Sequence, residues 1–279
     1  MTARLLGLSI ALLLTQSMLL HAAYAEVEKT CVSIAKKLSS VNLKECLDLQ
    51  LTTSGSQSQR NIPLLIKEYP PLSKRKPQAR ILMLGGIHGD EYSSVSIMFK
   101  WMAILDRFHS GLFHWQIAPL TNPDGLLQTR SQRTNANGVD LNRNFPNGHD
   151  ADESLEYWEN RTWRDPRRYP GKHPASEVET RWMMALIQDF KPDAIVSVHA
   201  PYGIVDFDGP RPPPTHLGPL HLHLLGTYPG SLGNFAGTQL DIPIVTVELP
   251  YAGIMPSDAE IRRIWIDLVR WLRSNIPKK

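Results

Sequence analysis

Four short apolar runs constrain the fold most: Ile81 to Leu84, Gln116 to Leu120, Ala194 to Val198 and Ile242 to Val247. They are too short for core helices and show no clean alternation, so they read as strands buried on both faces. Helical patterns lie between and after them. Met183, Leu186, Ile187 and Phe190 fall on one face, as do Ile261, Ile264, Trp265, Leu268, Val269 and Leu272. Ser176-Glu177-Val178-Glu179 and Ser257-Asp258-Ala259-Glu260 have the form of capping boxes, which predicts a helix start at each. Strands alternating with helices predict an α/β fold with a mixed, mainly parallel central sheet flanked by helices.

Composition excludes several classes. The chain has 279 residues, 42% hydrophobic and 20% charged, enough for a substantial core and unlike a disordered chain. Net charge is +3 with scattered basic residues, not the one-sided stripe of a nucleic-acid binder. Two cysteines are too few for a disulfide-dense miniprotein or a four-thiolate zinc module.

Residues 1–25 read as a signal peptide. Arg4 is the only charge before Glu26, the run from Leu5 to Leu20 is largely apolar, and Ala23-Tyr24-Ala25 is a small-x-small cleavage pattern. The run is short for a membrane span, so no stable membrane anchor is expected after cleavage. An exported, periplasmic enzyme is the expectation. Export gives Cys31 and Cys46 a meaning, because an oxidising compartment would pair them. Residues 26–69 then form a small disulfide-pinned N-terminal extension, and residues 70–279 the catalytic domain.

In open α/β sheets, ligands gather beyond the carboxyl ends of the strands. Here those ends carry Gly85-Gly86-Ile87-His88-Gly89-Asp90-Glu91, Thr121-Asn122-Pro123-Asp124-Gly125, His199 and Glu248. His88 and Glu91 are three apart, so both can face one ion from a turn. A catalytic zinc takes nitrogen and oxygen ligands and keeps one position open; its third ligand usually comes from far along the chain, and His199 is the candidate. Gly85, Gly86 and Gly89 permit the tight strand-to-helix turn that such a site needs. His221 and His223 have spacing that could hold a metal, but they follow a proline-rich loop without a nearby carboxylate and read as a solvated or substrate-facing edge.

Together these residues resemble the zinc carboxypeptidases of the carboxypeptidase A type. The likeness runs from about Arg80 to Gly253. It rests on the 85–91 motif, Asn-Pro-Asp-Gly (122–125), Gly-Val-Asp-Leu-Asn-Arg-Asn-Phe-Pro (138–146), Tyr-Pro-Gly (169–171), Ser-Val-His (197–199) and Val-Thr-Val-Glu-Leu-Pro (245–250). The resemblance implies one Zn2+ held by His88, Glu91 and His199. It implies Glu248 as the general base toward the activated water and Arg133 as the group that polarises the scissile carbonyl, with Arg130 its rival. It implies that Asn142 and Arg143 bind the substrate's terminal carboxylate. The chemistry agrees: a carboxylate can shuttle a proton, an oxyanion needs a fixed cation, and a guanidinium grips a carboxylate through paired hydrogen bonds. Many members carry a tyrosine on a mobile loop ahead of the general-base strand. Tyr228 is only roughly placed for that, and Pro229 and Gly230 imply another loop shape, so Tyr228 stays outside the catalytic set.

The loop Pro229 to Gly233 and the leader look most like the bacterial murein peptide amidase branch, which cleaves the γ-D-glutamyl–diaminopimelate bond of wall peptides. A murein peptide or another small peptide is therefore the expected substrate, with no nucleic-acid partner. Three alternatives stand beside this. A D,L-carboxypeptidase trimming murein tetrapeptides shares the chemistry. An amidohydrolase of the aspartoacylase or succinylglutamate desuccinylase type has a similar zinc site, but residues 249–279 leave little room for its extra C-terminal β domain. An inactive zinc-containing wall-binding protein would not be expected to keep both Glu248 and Arg133.

Overall fold

The computed structural model describes residues 22–73, 75–148 and 153–278. Most of the expected leader therefore lies outside the described residues. The chain opens with helix α1 (22–37), α2 (Leu43–Asp48) and the hairpin β1 (Thr52–Gln57) and β2 (Pro63–Tyr69). Next come β3 (Ala79–Gly85), α3 (Tyr92–Phe108), β4 (Phe113–Ala118) and α4 (Pro123–Leu127). A 3-10 turn (Leu141–Arg143), α5 (Glu153–Arg161), a second 3-10 turn (Pro166–Arg168) and α6 (Val178–Phe190) follow. The last part holds β5 (Ala194–His199), β6 (Ile204–Asp208), β7 (His216–Leu217), β8 (Leu220–Leu222), a wide helical turn (Gly233–Gln239), β9 (Ile244–Glu248) and α7 (Asp258–Asn275).

All nine strands form one sheet in the order β1-β2-β4-β3-β5-β9-β6-β8-β7. The four apolar runs of the sequence are its centre: β4, β3, β5 and β9 pair in parallel, so their carboxyl ends meet at one edge of the molecule. The sheet is mixed because β2 runs antiparallel to β4 and β6 antiparallel to β9. Both faces are covered, as continuous apolar runs require. On one face Ile81, Met83, Val196 and Val247 pack with Trp101 of α3 and Trp265 of α7, whose rings are 5.7 Å apart. On the other, Leu82, Leu84 and Ile195 pack with Met183, Ile187 and Phe190 of α6.

The expected boundary at residue 70 does not divide the sheet. Lys67, Glu68 and Tyr69 of β2 pair with Ile117, Gln116 and Trp115 of β4, so residues 52–69 are part of the same layer. Residues 70–78 link β2 to β3. The disulfide is present: Cys31 of α1 and Cys46 of α2 are bonded, with Cα atoms 5.6 Å apart. Val27 is the first buried side chain of α1, and Lys37 Nζ at its end donates to the Gln128 and Thr129 carbonyls at 2.8 and 3.2 Å.

The two capping boxes differ. Ser257 caps α7, accepting from Glu260 N–H, while the Glu260 carboxylate accepts from Ser257 N–H at 2.8 Å. At α6 the Ser-x-x-Glu pattern misleads, because the cap position is Glu177 and no side chain caps it. Ser176 Oγ instead donates to Glu177 Oε1, and Glu179 accepts from Gln59 N–H and Asn135 Nδ2. Long-range partners have displaced the local cap. His221 lies on β8, between β6 and the edge strand β7, exposed, with its ring 6.5 Å from that of His216.

Candidate metal centre and substrate cleft

The turn from β3 into α3 builds the centre. Gly86 takes a φ of +62°, which a side chain would strain, and the chain then reverses so that Glu91 precedes the first residue of α3. Asn122 fixes this turn from below. Its Oδ1 accepts from Gly125 N–H at the start of α4, while its Nδ2 donates to Ile87 O at 3.1 Å and Arg133 O at 3.2 Å. The Asn-Pro-Asp-Gly motif thus positions two segments of the site.

His88, Glu91 and His199 converge. His88 Nδ1 lies 2.7 Å from Glu91 Oε1, His199 Nδ1 3.2 Å from Glu91 Oε2, and the two Nδ1 atoms are 3.2 Å apart. All three side chains are buried. Each histidine's other nitrogen is held: His88 Nε2 by Asp140 Oδ1 at 3.1 Å, and His199 Nε2 by Ser197 Oγ at 3.0 Å. Nε2–H donation to those oxygens leaves both Nδ1 lone pairs facing a carboxylate. That donor set fits a zinc ion, with two imidazole nitrogens and a carboxylate at one point and an outer hydrogen bond orienting each ring. Among the described residues this is the group that could hold a metal.

The other expected residues surround it in a cleft of about 390 Å³. Glu248 closes β9, directly beside His199 in the parallel pairing. It is 6% exposed, and its Oε2 has no hydrogen-bond partner. Burial pushes its pKa up, with the nearby Glu91 charge adding and the two histidines opposing. Arg133 Nε donates to Asp140 Oδ2 at 2.9 Å, and its Nη1 lies 3.5 Å from Glu91 Oε1. Burial disfavours the Asp140 carboxylate, yet Arg133 and then His88 hold its pKa well below the usual range. Arg130 is exposed and does not line the cleft.

Asn142 and Arg143 form part of the 3-10 turn after Asp140, which caps that turn by accepting from Asn142 N–H at 3.0 Å. Asn142 Oδ1 is taken by Leu232 N–H at 2.8 Å, which leaves its amide nitrogen as a donor. Arg143 is buried, its Nη1 donates to Asn142 O at 2.6 Å, and its Nε has no partner. The Tyr228 ring lies 4.6 Å from the Arg143 guanidinium carbon. Tyr228 therefore does line the cleft, as a support for Arg143.

Sequence reasoning missed Asp140, although it lies inside the 138–146 motif between the residues it serves. It also missed Ser197, Asp206 and Asp208. These belong to a single sheet face: Ser197 and His199 on β5, Thr246 and Glu248 on β9, and Asp206 and Asp208 on β6 all line the cleft. Their two-residue spacing was the available signal.

The sequence pattern of zinc carboxypeptidases matches residues 49–205. The chain belongs to the zinc carboxypeptidase family. Among relatives of this zinc carboxypeptidase, murein peptide amidase A of Escherichia coli (strain K12) is 31% identical over 201 residues, covering 68% of this chain and 79% of that protein. The crystal structure of murein-tripeptide amidase MpaA from Escherichia coli O157 has a TM-score of 0.55 at 28% identity, covering 78% of this chain and 89% of that one. Carboxypeptidase A from Helicoverpa armigera shares the fold, with a TM-score of 0.62 at 17% identity over 82% of this chain and 73% of its own. The expected α/β architecture and family are thus present, and the chain is a hydrolytic enzyme of a zinc-dependent family.

Proposed function

We propose that this enzyme binds one zinc ion through His88, Glu91 and His199 and hydrolyses a peptide or isopeptide bond next to a free carboxylate. Its substrate in this reading is the γ-D-glutamyl–diaminopimelate bond of murein peptides. One observation carries the reaction: a buried, unpartnered Glu248 oxygen shares a cleft with the metal-binding group, with the buried Arg143 guanidinium and with the half-buried Arg133 guanidinium. The named relatives carry the substrate.

A bound zinc ion supplies Lewis acidity, lowering the pKa of a coordinated water to about 7. The protein's residues do the rest. Glu248, made more basic by burial, takes up a proton and returns it to the departing amine. Arg133, held by Asp140, presents its remaining N–H groups to the carbonyl oxygen as negative charge develops there. The Asn142 amide and the Arg143 guanidinium hold the free carboxylate and so place the scissile bond. The protein acts after export, in the periplasm. The leader at residues 1–25 and the disulfide support this, and a cut after Ala25 precedes the first buried side chain, Val27. No helix among the described residues is long and apolar enough to cross a membrane.

The test is mass spectrometry of defined muropeptides incubated with the zinc-loaded protein, with and without a chelator. Chelator-sensitive release of diaminopimelate from the tripeptide is expected. Loss of only the terminal residue from the tetrapeptide would replace this reading by a D,L-carboxypeptidase. No product from either peptide would refute murein as the substrate.

A further inference from the structure

A second cavity, of about 530 Å³, opens at the end of the sheet opposite the cleft. Residues 75–78 lead into β3 there, Ser110 and Leu112 lead into β4, and α7 ends beside it with Arg273. The helix α3 is the crossover between the parallel strands β3 and β4, so it too ends at this edge, with Phe108. Four of the eight lining residues are cations, Arg75, Lys76, Arg273 and Lys278, and none is acidic. In a chain whose net charge is only +3, that is a segregation of charge. It is invisible in the sequence, because the two pairs come from opposite ends of the catalytic domain.

All four cations are exposed. Arg75 Nη1 donates to Ser110 O at 3.0 Å, which holds one guanidinium at the rim. Lys76, Arg273 and Lys278 have no acidic partner among the described residues. The carboxyl end of a helix carries partial negative charge, which would oppose an anion here. Gln78 removes that obstacle: it is buried, and its Nε2 donates to Arg273 O at 2.9 Å and to Ile276 O at 2.5 Å. Like charges repel across the cavity, and an anionic group seated among them turns that repulsion into attraction.

Two large apolar side chains stand exposed beside these cations. Phe108, which closes α3 just before Ser110, is 74% exposed, and Leu72 is 45% exposed. Leu72 is fixed at the same edge: Arg75 N–H donates to Leu72 O at 2.9 Å, and a Cβ at Gly111 would come within 2.8 Å of Leu72 Cγ. A soluble anion would use the cations alone. Cations flanked by an exposed aromatic and an exposed aliphatic side chain match a lipid surface, where phosphates lie just above acyl chains. We propose that this end of the sheet docks reversibly on a bilayer of anionic phospholipids. Arg75, Lys76, Arg273 and Lys278 meet the headgroup phosphates, and Phe108 and Leu72 enter the acyl boundary. The cleft, at the carboxyl ends of the same strands, then faces away from the membrane. The docking is independent of which bond the cleft cuts.

Flotation of the zinc-loaded protein with vesicles tests this. Binding is expected to vesicles of phosphatidylglycerol mixed with phosphatidylcholine, not to phosphatidylcholine alone, and it should fade as salt screens the charges. Lys76→Ala/Lys278→Ala should weaken it about 30-fold, at roughly fivefold per cation near an anionic surface. Phe108→Ser should weaken it while leaving its salt dependence unchanged. Lys29→Ala/Lys36→Ala removes the same charge from exposed positions on α1 and should change binding far less. Hydrolysis of a soluble peptide should be unaltered in all three variants. Equal binding to both vesicle types, or an equal loss in the α1 variant, would overturn the docking surface. Absence of vesicle binding would do the same, and inorganic pyrophosphate bound by the unaltered protein but not by Lys76→Ala/Lys278→Ala would then assign the cavity to a soluble phosphate compound.

Discussion

Asp140 ties Arg133 to His88: one carboxylate oxygen accepts from Arg133 Nε at 2.9 Å and the other holds His88 Nε2 at 3.1 Å. A single side chain, fully buried, thereby sets the orientation of the His88 ring and of the Arg133 guanidinium. Asp140→Ala should lower zinc affinity by about 10–100-fold, the usual cost of losing a ligand's outer hydrogen bond. Asp140→Asn should cost less affinity, because an amide oxygen can still accept from His88. Competitive titration with a chromophoric chelator would measure both, and equal affinity across the three proteins would contradict the arrangement.

Glu248→Gln keeps the shape of the side chain and removes its basicity. Turnover should fall by about 10²–10⁴-fold, the range for loss of a general base. Zinc content by elemental analysis should stay at one ion per chain. Retained turnover would remove Glu248 from the proton path.

Arg143→Ala should chiefly raise KM for substrates with a free carboxylate. A charge-assisted hydrogen bond contributes roughly 1.5–3 kcal/mol, about 10–150-fold. Amidating the substrate's carboxylate should impose a similar penalty on the unaltered enzyme and almost none on the variant. Independent, additive penalties would show that the two groups do not meet.

The Asp208 carboxyl predicts a pH-dependent stability. Its folded pKa of about 6 exceeds an unfolded value of about 3.9, so the folded state binds more protons between these limits and loses stability as pH rises through them. The charged neighbour is Asp206 on the same strand, while Gly233, Gly237 and Ile244, which face it, carry no charge. Asp208→Asn should therefore raise Tm at pH 7.5 and give little gain at pH 4. A gain of equal size at both values would sink the argument.

Breaking the Cys31–Cys46 bond, 15 residues apart in sequence, should cost about 3 kcal/mol by loop-closure entropy. Urea denaturation of the Cys31→Ser/Cys46→Ser protein would read this directly. No change in midpoint would mean that packing of Ile34 and Leu38 alone holds α1 in place.

The legible part of the fold was its parallel centre. Buried strands such as Ile81 to Leu84 need no partner to be recognised, because both of their faces are apolar. The edge strands were not legible: β1 reads Thr-Thr-Ser-Gly-Ser-Gln, and only its pairing with β2 makes it a strand. In the site, His88, Glu91, His199 and Glu248 were visible because each follows an apolar run. Asp140 was hidden because its role is to hold other side chains, and its partners lie on different segments. The Ser176 box failed for a related reason, since Asn144 Nδ2 donates to Ser176 Oγ and draws it away from its own helix.

The reversal of β6 against β9 has a consequence for assembly of the sheet. Val205 and Phe207 alternate with Asp206 and Asp208 and enter the apolar layer against α7. A slip of one residue would drive two carboxylates into that layer and push a valine and a phenylalanine into water. Mispairing at this strand is thus self-penalising, and the same two aspartates that face the cleft act as a registration mark when the sheet closes around its last central strand.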